Sequence, residues 1–99
     1  MEFETILNGT VLTITLGETL GTNNAPALMD KINGFKGQEI TKVVFDATAL
    51  TYIASSGIRT IIFAKQKLGN NPTIVFKGCS DDIKKIFTMT GLQSYISFE

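Results

Sequence analysis

Residues 42–57 constrain the fold of this chain more than any other stretch, because they join a buried strand to the start of a helix. The apolar run 43–45 has no polar alternation before Asp46, which is typical of a strand covered on at least one face. Beyond a short connection, apolar residues recur at helical spacing over residues 58–68. A strand that leads through a loop into a helix predicts an alternating α/β fold.

The N-terminal half predicts a β-hairpin and then a helix. Residues 2–7 and 10–16 flank Asn8-Gly9, a dipeptide that tolerates the positive φ angles of a tight turn. Asn24 is in position to cap a following helix that has a proline in its first turn. The apolar side chains of that helix recur at the spacing of one core-facing stripe: Leu28, Met29, Ile32 and Phe35.

The C-terminal half predicts two more strands and a third helix. Residues 69–72 form a helix stop and turn, and residues 73–76 form a short strand. Ser80 is expected to N-cap the third helix, with two aspartates in the first turn, where the helix dipole favours them. Gly91 suits the left-handed residue of a Schellman-type helix end, and residues 95–98 add a last short strand.

The order of these elements predicts an α/β single domain over residues 1–99. Its N-terminal hairpin belongs to a mixed sheet of four to five strands, with three main helices and at least one right-handed parallel crossover. With 43% apolar residues, a chain of 99 residues is long enough to form one hydrophobic core without disulfide bonds.

The composition argues against most enzyme, metal-binding and nucleic-acid functions. Histidine is absent and Cys79 is the only cysteine, which removes the usual general base and most ligands of a transition metal. We therefore expect no catalytic residue, no bound metal and no cofactor. Nine basic residues balance nine acidic ones, so no nucleic-acid partner is expected. No apolar run approaches the ~20 residues that span a bilayer, so we expect a cytoplasmic protein without membrane insertion.

Ser55 and Ser56 precede the helical segment 58–68 and have three possible roles. A serine hydrolase needs glycines two residues on either side of its serine, which neither serine has, and a base, for which no histidine is present. An N-cap is the usual role of a serine at a helix start. A phosphate there would suit the unpaired N–H groups of the helix, and its charge of ~−1.5 to −2 would oppose a docked partner. The sequence therefore argues against a catalytic role for these serines, while an N-cap and a phosphorylation switch both stay open.

Phe63 lies away from the predicted core-facing stripe of the 58–68 helix. The residues of that stripe share one face at ~100° per residue: Ile58, Ile61, Ile62 and Leu68. Phe63 falls on the opposite side, with Arg59 and Thr60. An aromatic residue among polar ones is either packed beneath a neighbouring element or part of a contact patch, and the sequence leaves both alternatives open.

The stretch 43–57 resembles the STAS domain, a family that includes bacterial anti-sigma-factor antagonists and the cytosolic tails of sulfate transporters. The resemblance lies in an apolar strand that ends in Asp46, a Leu-x-Tyr-Ile step and then Ser-Ser-Gly. Supporting matches in the hairpin, in residues 20–28 and in residues 85–92 extend it over nearly the whole chain. It implies a STAS-like fold.

Small members of this family that stand alone look like anti-sigma-factor antagonists of partner-switching systems. The resemblance implies that the unphosphorylated chain binds a serine kinase that doubles as the anti-sigma factor. The sequence leaves the oligomeric state open between a monomer and a weak dimer. Phosphorylation at Ser55, with Ser56 as the second choice, would end this binding, and a metal-dependent serine phosphatase would reverse it. The implied partner surface comprises Gly21, Thr22, Asn23, Asn24, Tyr52, Ala54, Ser55, Ser56, Gly57, Arg59, Thr60 and Phe63.

Two residues depart from the family pattern. The family usually has aspartate immediately before the acceptor serine, where this chain has Ala54. It usually has aspartate after the leucine that corresponds to Leu20, where this chain has Gly21. Without these carboxylates the region is less acidic, which would alter recognition by a kinase. The alternative function is a STAS accessory subunit that docks on the ATPase of a membrane lipid-transport complex, without a phosphoswitch.

Overall fold

The computed structural model describes residues 3–68 and 72–99. Residue 2 of the predicted first strand and residues 69–71 of the predicted helix stop lie outside the described residues. The strands are β1 (Glu4–Asn8), β2 (Val11–Thr15), β3 (Thr19–Leu20), β4 (Lys42–Asp46), β5 (Tyr52–Ile53), β6 (Thr73–Lys77) and β7 (Ile96–Phe98). The helices are α1 (Ala25–Asn33), α2 (Ser55–Lys67) and α3 (Asp81–Met89), with a 3-10 turn at Gln93–Tyr95 before β7. Within the described ranges, no helix has the length and apolar character needed to cross a bilayer.

Five strands form one mixed sheet in the order β1-β2-β4-β6-β7. β1 and β2 are antiparallel and share a turn in which Gly9 has a φ of +65°, although Asn8 still belongs to β1. The other neighbouring pairs are parallel. Each parallel connection moves one position in the same direction, and such crossovers are right-handed, so α1, α2 and α3 lie on one face of the sheet. The predicted mixed α/β sheet with three main helices is confirmed.

The hydrophobic core lies between these helices and the face of the sheet that they cover. Alternate residues of the central strands are fully buried, such as Val43 and Phe45 of β4. The ring of Phe45 lies 5.5 Å from that of Phe76, which in turn meets Phe87 of α3 edge-on at 5.0 Å. On the opposite face, which no helix of the described residues covers, Ile6 of the edge strand β1 is 64% exposed. The helices therefore pack on one face of the sheet, and the helix ends and connecting loops lie along its edges.

Both ends of α3 follow the local sequence signals. The Ser80 hydroxyl oxygen accepts a hydrogen bond from the Ile83 N–H at 3.4 Å, which confirms the predicted N-cap. At the other end, Gly91 has a φ of +77° and the Leu92 N–H donates to the Phe87 carbonyl at 3.0 Å. These are the contacts of a Schellman motif, so the predicted helix end is confirmed as well.

The buried face of α2 matches the predicted stripe only in part. Its buried residues are Gly57, Thr60, Ile61 and Ala64. Ile58 and Ile62 of the predicted stripe are only half-buried. α2 packs against α1 as well as against the sheet, and small side chains allow two helices to approach closely. The prediction is therefore right for Ile61 and Leu68, which are fully buried, and wrong for Ile58 and Ile62. The spacing of large apolar residues does not reveal that small residues complete the buried face.

Candidate functional site

A two-stranded ladder places the serine-containing loop beside the 21–24 loop. β3 pairs with β5 in parallel, with Leu20 opposite Ile53. The Leu20 carbonyl then accepts a hydrogen bond from the Ala54 N–H at 2.9 Å. Because this ladder links two segments that are distant in sequence, residues 21–24 and 52–57 form one surface.

Gly57 sets the close approach of α2 to this ladder. A Cβ atom at this position would lie 2.6 Å from the Leu20 carbonyl oxygen and 3.0 Å from a side-chain carbon of Ile53. Side-chain Cβ atoms essentially never come within 3.0 Å of a backbone atom of this kind. The glycine of the Ser-Ser-Gly motif is therefore required by packing, because it allows α2 to begin directly against the backbone of β3.

α2 begins without a side-chain cap. Ala54 occupies the N-cap position in an extended conformation (φ −97°, ψ 171°), and Ser55 is the first helical residue. The Ile58 N–H donates to the Ala54 carbonyl at 3.1 Å, so the N–H groups of residues 55–57 have no partner within the helix. The interpretation of Ser55 or Ser56 as an N-cap is therefore wrong, since both serines lie inside the first turn.

The two serines have opposite environments. Ser55 is exposed. The Ser56 hydroxyl oxygen is buried and has no hydrogen-bond partner among the described residues. The Ser56 carbonyl accepts a hydrogen bond from the hydroxyl of Thr60 at 2.9 Å. Ser55 is therefore open to a modifying enzyme in this conformation, and the hydroxyl of Ser56 is not.

The three residues predicted on the outer side of α2 have different environments. Arg59 is exposed, as expected. Thr60 is fully buried, so its predicted position on the exposed side is wrong. Phe63 is half-buried and packs against the hydrophobic core, which favours packing beneath neighbouring elements over an exposed contact patch. Of these three residues, only Arg59 projects freely.

Asn24 holds the 21–24 loop in shape. Its Oδ1 accepts a hydrogen bond from the Gly21 N–H at 2.8 Å, and its Nδ2 donates to the Thr19 carbonyl at 2.7 Å. Asn24 does occupy the position before α1, but its side chain forms no capping bond to that helix. The predicted side-chain cap is wrong because the loop uses both ends of the amide group.

Two shallow cavities flank the start of α2. The first has a volume of about 210 Å³ and is lined by Thr19, Gly21, Thr22, Asn23, Asn24, Tyr52 and Ala54. The second, here called the α1–α2 groove, has a volume of about 230 Å³ and is lined by Thr22, Ala25, Pro26, Met29, Ser56, Arg59 and Thr60. Nine of the twelve predicted partner residues thus line at least one of the two cavities beside the start of α2, whereas Ser55, Gly57 and Phe63 line neither.

Sequence reasoning missed the wall that α1 contributes to the α1–α2 groove. Ala25, Pro26 and Met29 line this wall. Helical spacing assigns Met29 to the core stripe, yet Met29 is only half-buried. Nothing in the residue pattern marks this wall, because the groove exists only where α1 and α2 meet in space.

Among the residues that the structure describes, Arg59 is the only charged one that lines either cavity. Within residues 3–68 and 72–99 it forms no hydrogen bond and no ion pair. No carboxylate of residues 3–68 or 72–99 lines the cavities, so the Arg59 guanidinium is the dominant charge of their linings. Apart from this one exposed cation, the described residues that line the two cavities are uncharged.

Asp46 and Cys79, which line neither cavity, have shifted pKa values. Thr48 donates a hydroxyl hydrogen bond at 2.7 Å and a backbone hydrogen bond at 3.1 Å to Asp46, and these bonds lower the pKa of the Asp46 carboxyl. Burial raises the pKa of the Cys79 thiol, so this cysteine is kept in its neutral form. The part of the chain that the structure describes contains no group of three His, Cys, Asp or Glu side chains that could hold a metal ion.

Comparison with known proteins identifies the family of this chain. The sequence matches the STAS domain over residues 2–99. The chain belongs to the STAS domain family. No curated protein matches the chain.

Several solved structures share the fold of this STAS domain. The anti-sigma factor antagonist SpoIIAA in its unphosphorylated form is 16% identical with a TM-score of 0.74, covering 98% of this chain and 86% of that chain. Phosphorylated SpoIIAA, a Bacillus cell fate determinant, is 18% identical with a TM-score of 0.72, covering 98% and 90%. An anti-sigma factor antagonist from Mycobacterium paratuberculosis is 18% identical with a TM-score of 0.82, covering 97% and 82%. At these identities the likeness establishes the fold, as predicted.

The two residues that depart from the usual STAS pattern are neighbours in the structure. A Cβ atom at Gly21 would lie 3.4 Å from the Ala54 Cβ, an ordinary van der Waals contact. Both residues line the first cavity, so carboxylates at these positions would share one small site. In this chain that site is uncharged.

Proposed function

We propose that this STAS domain is an anti-sigma-factor antagonist that binds a serine kinase acting as the anti-sigma factor. Phosphorylation of Ser55 by that kinase ends the binding of the chain to the kinase, and a metal-dependent serine phosphatase restores the unphosphorylated form. The chain itself catalyses no reaction and acts in the cytoplasm. The observation that carries this proposal is an exposed Ser55 at the uncapped N-terminus of α2. Similarity in fold to both the phosphorylated and the unphosphorylated form of SpoIIAA adds support.

The start of α2 is suited to carry a phosphate without loss of the fold. The kinase transfers the γ-phosphoryl group of ATP to the Ser55 hydroxyl oxygen, releasing ADP and the hydroxyl proton. The unpaired N–H groups of the first turn and the helix dipole favour an anion there. Because the Ser55 side chain makes no capping bond, its modification removes no stabilising contact. The same charge faces any partner docked on this surface, so phosphorylation opposes the complex while the free chain accepts it.

The proposed partner surface consists of accessible residues around Ser55. Tyr52 is 57% exposed beside the first cavity, and large aromatic side chains often dominate interface energies. Thr22 and Asn23 are exposed in the 21–24 loop, and Arg59 projects from α2. Like Ser55 itself, these residues are exposed, so a docked kinase domain can contact them.

Titration calorimetry with the purified kinase tests the proposal. Ser55→Asp should weaken binding by at least about thirtyfold, because a desolvated charge in an interface costs about 2 kcal/mol or more. Ser94→Asp, which adds the same charge at an exposed position in the 3-10 turn, should bind like the parent chain. Mass spectrometry after incubation with kinase and ATP should place the phosphate on Ser55. Full affinity of the Ser55→Asp variant would reject charge as the release mechanism.

A second candidate function is docking on the ATPase of a membrane lipid-transport complex, without a phosphoswitch. The uncharged neighbours Gly21 and Ala54, at positions where the family usually has two aspartates, favour this alternative. Its prediction is that the purified ATPase binds the chain and that Ser55→Asp changes this affinity by less than about threefold. Binding of the kinase but not the ATPase would reject it.

A further inference from the structure

Arg59 lies one helical turn after Ser55 in α2. Residues at positions i and i+4 of an α-helix are neighbours, with Cβ atoms about 5–6 Å apart. Both side chains are exposed, and the i to i+4 hydrogen bonds of α2 are already formed at Ile58. An arginine side chain can therefore reach a phosphate on Ser55 without a change in the backbone.

The Arg59 guanidinium is available for such a contact. It forms no ion pair or hydrogen bond within the described ranges, so no existing bond has to break. In the described part of the chain, no carboxylate lines either neighbouring cavity to compete for it. A guanidinium is also the side-chain group best matched to phosphate, because it can donate two parallel N–H···O bonds.

We propose that Arg59 is the intramolecular receptor of a phosphate on Ser55. Capture by this phosphate draws the guanidinium from the rim of the α1–α2 groove, where it would otherwise meet an acidic group of the docked partner. The inference rests on the proposed phosphorylation of Ser55 and adds a second effect to it. One modification places a dianion in the interface and at the same time occupies the cation that attracts the partner.

The composition of the α1–α2 groove indicates which partner group Arg59 would recognise. Met29 and Pro26 supply an apolar wall, and Arg59 supplies the only charge. The complementary group is an apolar side chain next to a carboxylate, since a carboxylate pairs with arginine in the same two-bond geometry as phosphate. The phosphate on Ser55 therefore competes with that carboxylate for one guanidinium.

The direct test is a ³¹P NMR titration of the chain with phosphoserine incorporated at position 55 during synthesis. A nearby cation favours the dianion, so Arg59 should lower the second pKa of the phosphate. Arg59→Gln should raise that pKa by about half a unit, as expected for an exposed i, i+4 pair with a doubly charged partner. Arg59→Lys should keep part of the shift. Lys67→Gln removes the same charge from an exposed residue at the other end of α2 and should leave the pKa unchanged.

A second readout locates the contact on the arginine itself. In ¹⁵N spectra, the Arg59 Nε–H signal should move with the phosphate titration and stay fixed in the unphosphorylated chain. Equal pKa values for the parent chain and Arg59→Gln, with an insensitive Nε–H signal, would overturn the proposal and leave the helix N–H groups as the only phosphate ligands. Because these measurements need neither kinase nor partner, their failure is distinct from loss of kinase binding in the calorimetric experiment.

Discussion

The N-termini of α2 and α3 both follow serine-containing sequences, but they are built in opposite ways. At α3, Ser80 is the N-cap, its hydroxyl oxygen accepts a hydrogen bond from the Ile83 N–H, and Asp81 and Asp82 occupy the first turn. At α2, Ala54 is the N-cap, the serines come later, and the first turn contains no acidic residue. The α3 sequence thus satisfies its own helix start, whereas α2 leaves its start open.

This difference shows that packing rather than capping fixes the start of α2. Gly57 lies against the Leu20 carbonyl, and the buried Ser56 hydroxyl has no hydrogen-bond partner within residues 3–68 and 72–99. Because tertiary contacts hold the helix in place, the N–H groups of its first turn remain free for an external acceptor such as phosphate. At α3 the two first-turn aspartates would repel such an anion.

The largest expected effect comes from disturbing the packing that fixes α2. Gly57→Ala should lower the free energy of unfolding by about 2–3 kcal/mol, because the new Cβ would collide with the Leu20 carbonyl of the β3–β5 ladder. Urea unfolding followed by circular dichroism measures this loss.

Gly91→Ala at the end of α3 is the matched control. Its φ of +77° imposes strain on alanine, but no atom lies within 4 Å of the added Cβ, so the expected loss is about 1 kcal/mol. A loss for Gly57→Ala no greater than that for Gly91→Ala would contradict the steric account of the start of α2.

The comparison also predicts different roles for the serines of the two helices. Ser80→Ala should lower the free energy of unfolding by about 1 kcal/mol, because it removes the N-cap hydrogen bond of α3. Ser55→Ala should change it by less than about 0.5 kcal/mol, since an exposed side chain without a capping bond is lost. Equal losses in urea unfolding would break the contrast between the two helix starts.

The sequence predicted the fold where local signals decide it. The apolar run before Asp46 forms β4. Ser80 begins α3 through its capping hydroxyl, and Gly91 ends it because glycine tolerates a positive φ. It predicted only part of the buried face of α2: Ile61 is buried as expected, but Thr60 and Ala64 also face inward. Small residues carry no periodic apolar signal, and only the partner helix reveals why they are buried.

The candidate site was predictable to a lesser extent. The motif around Ser55 and the loop at 21–24 pointed to one surface, and the β3–β5 ladder brings them together. The α1–α2 groove and the contact between Gly21 and Ala54 were not predictable, because both depend on the packing of distant segments. The role of Asn24 was missed for a related reason, since the loop geometry competes with helix capping for its side chain.

The smallest predicted effect closes the open helix start. Ala54 already has the extended backbone of an N-cap, so Ala54→Ser should place a hydroxyl oxygen within reach of the free first-turn N–H groups and raise the free energy of unfolding by about 0.5 kcal/mol. Ala49→Ser adds a hydroxyl at an exposed loop position and should have no effect in the same urea titration. If Ala54→Ser gives no gain, the first-turn N–H groups are already satisfied and have no capacity to hold a phosphate on Ser55. A gain measures the stability that an N-cap would add to α2. In the Ala54→Ser variant, a phosphate on Ser55 would have to displace that cap to reach the same N–H groups.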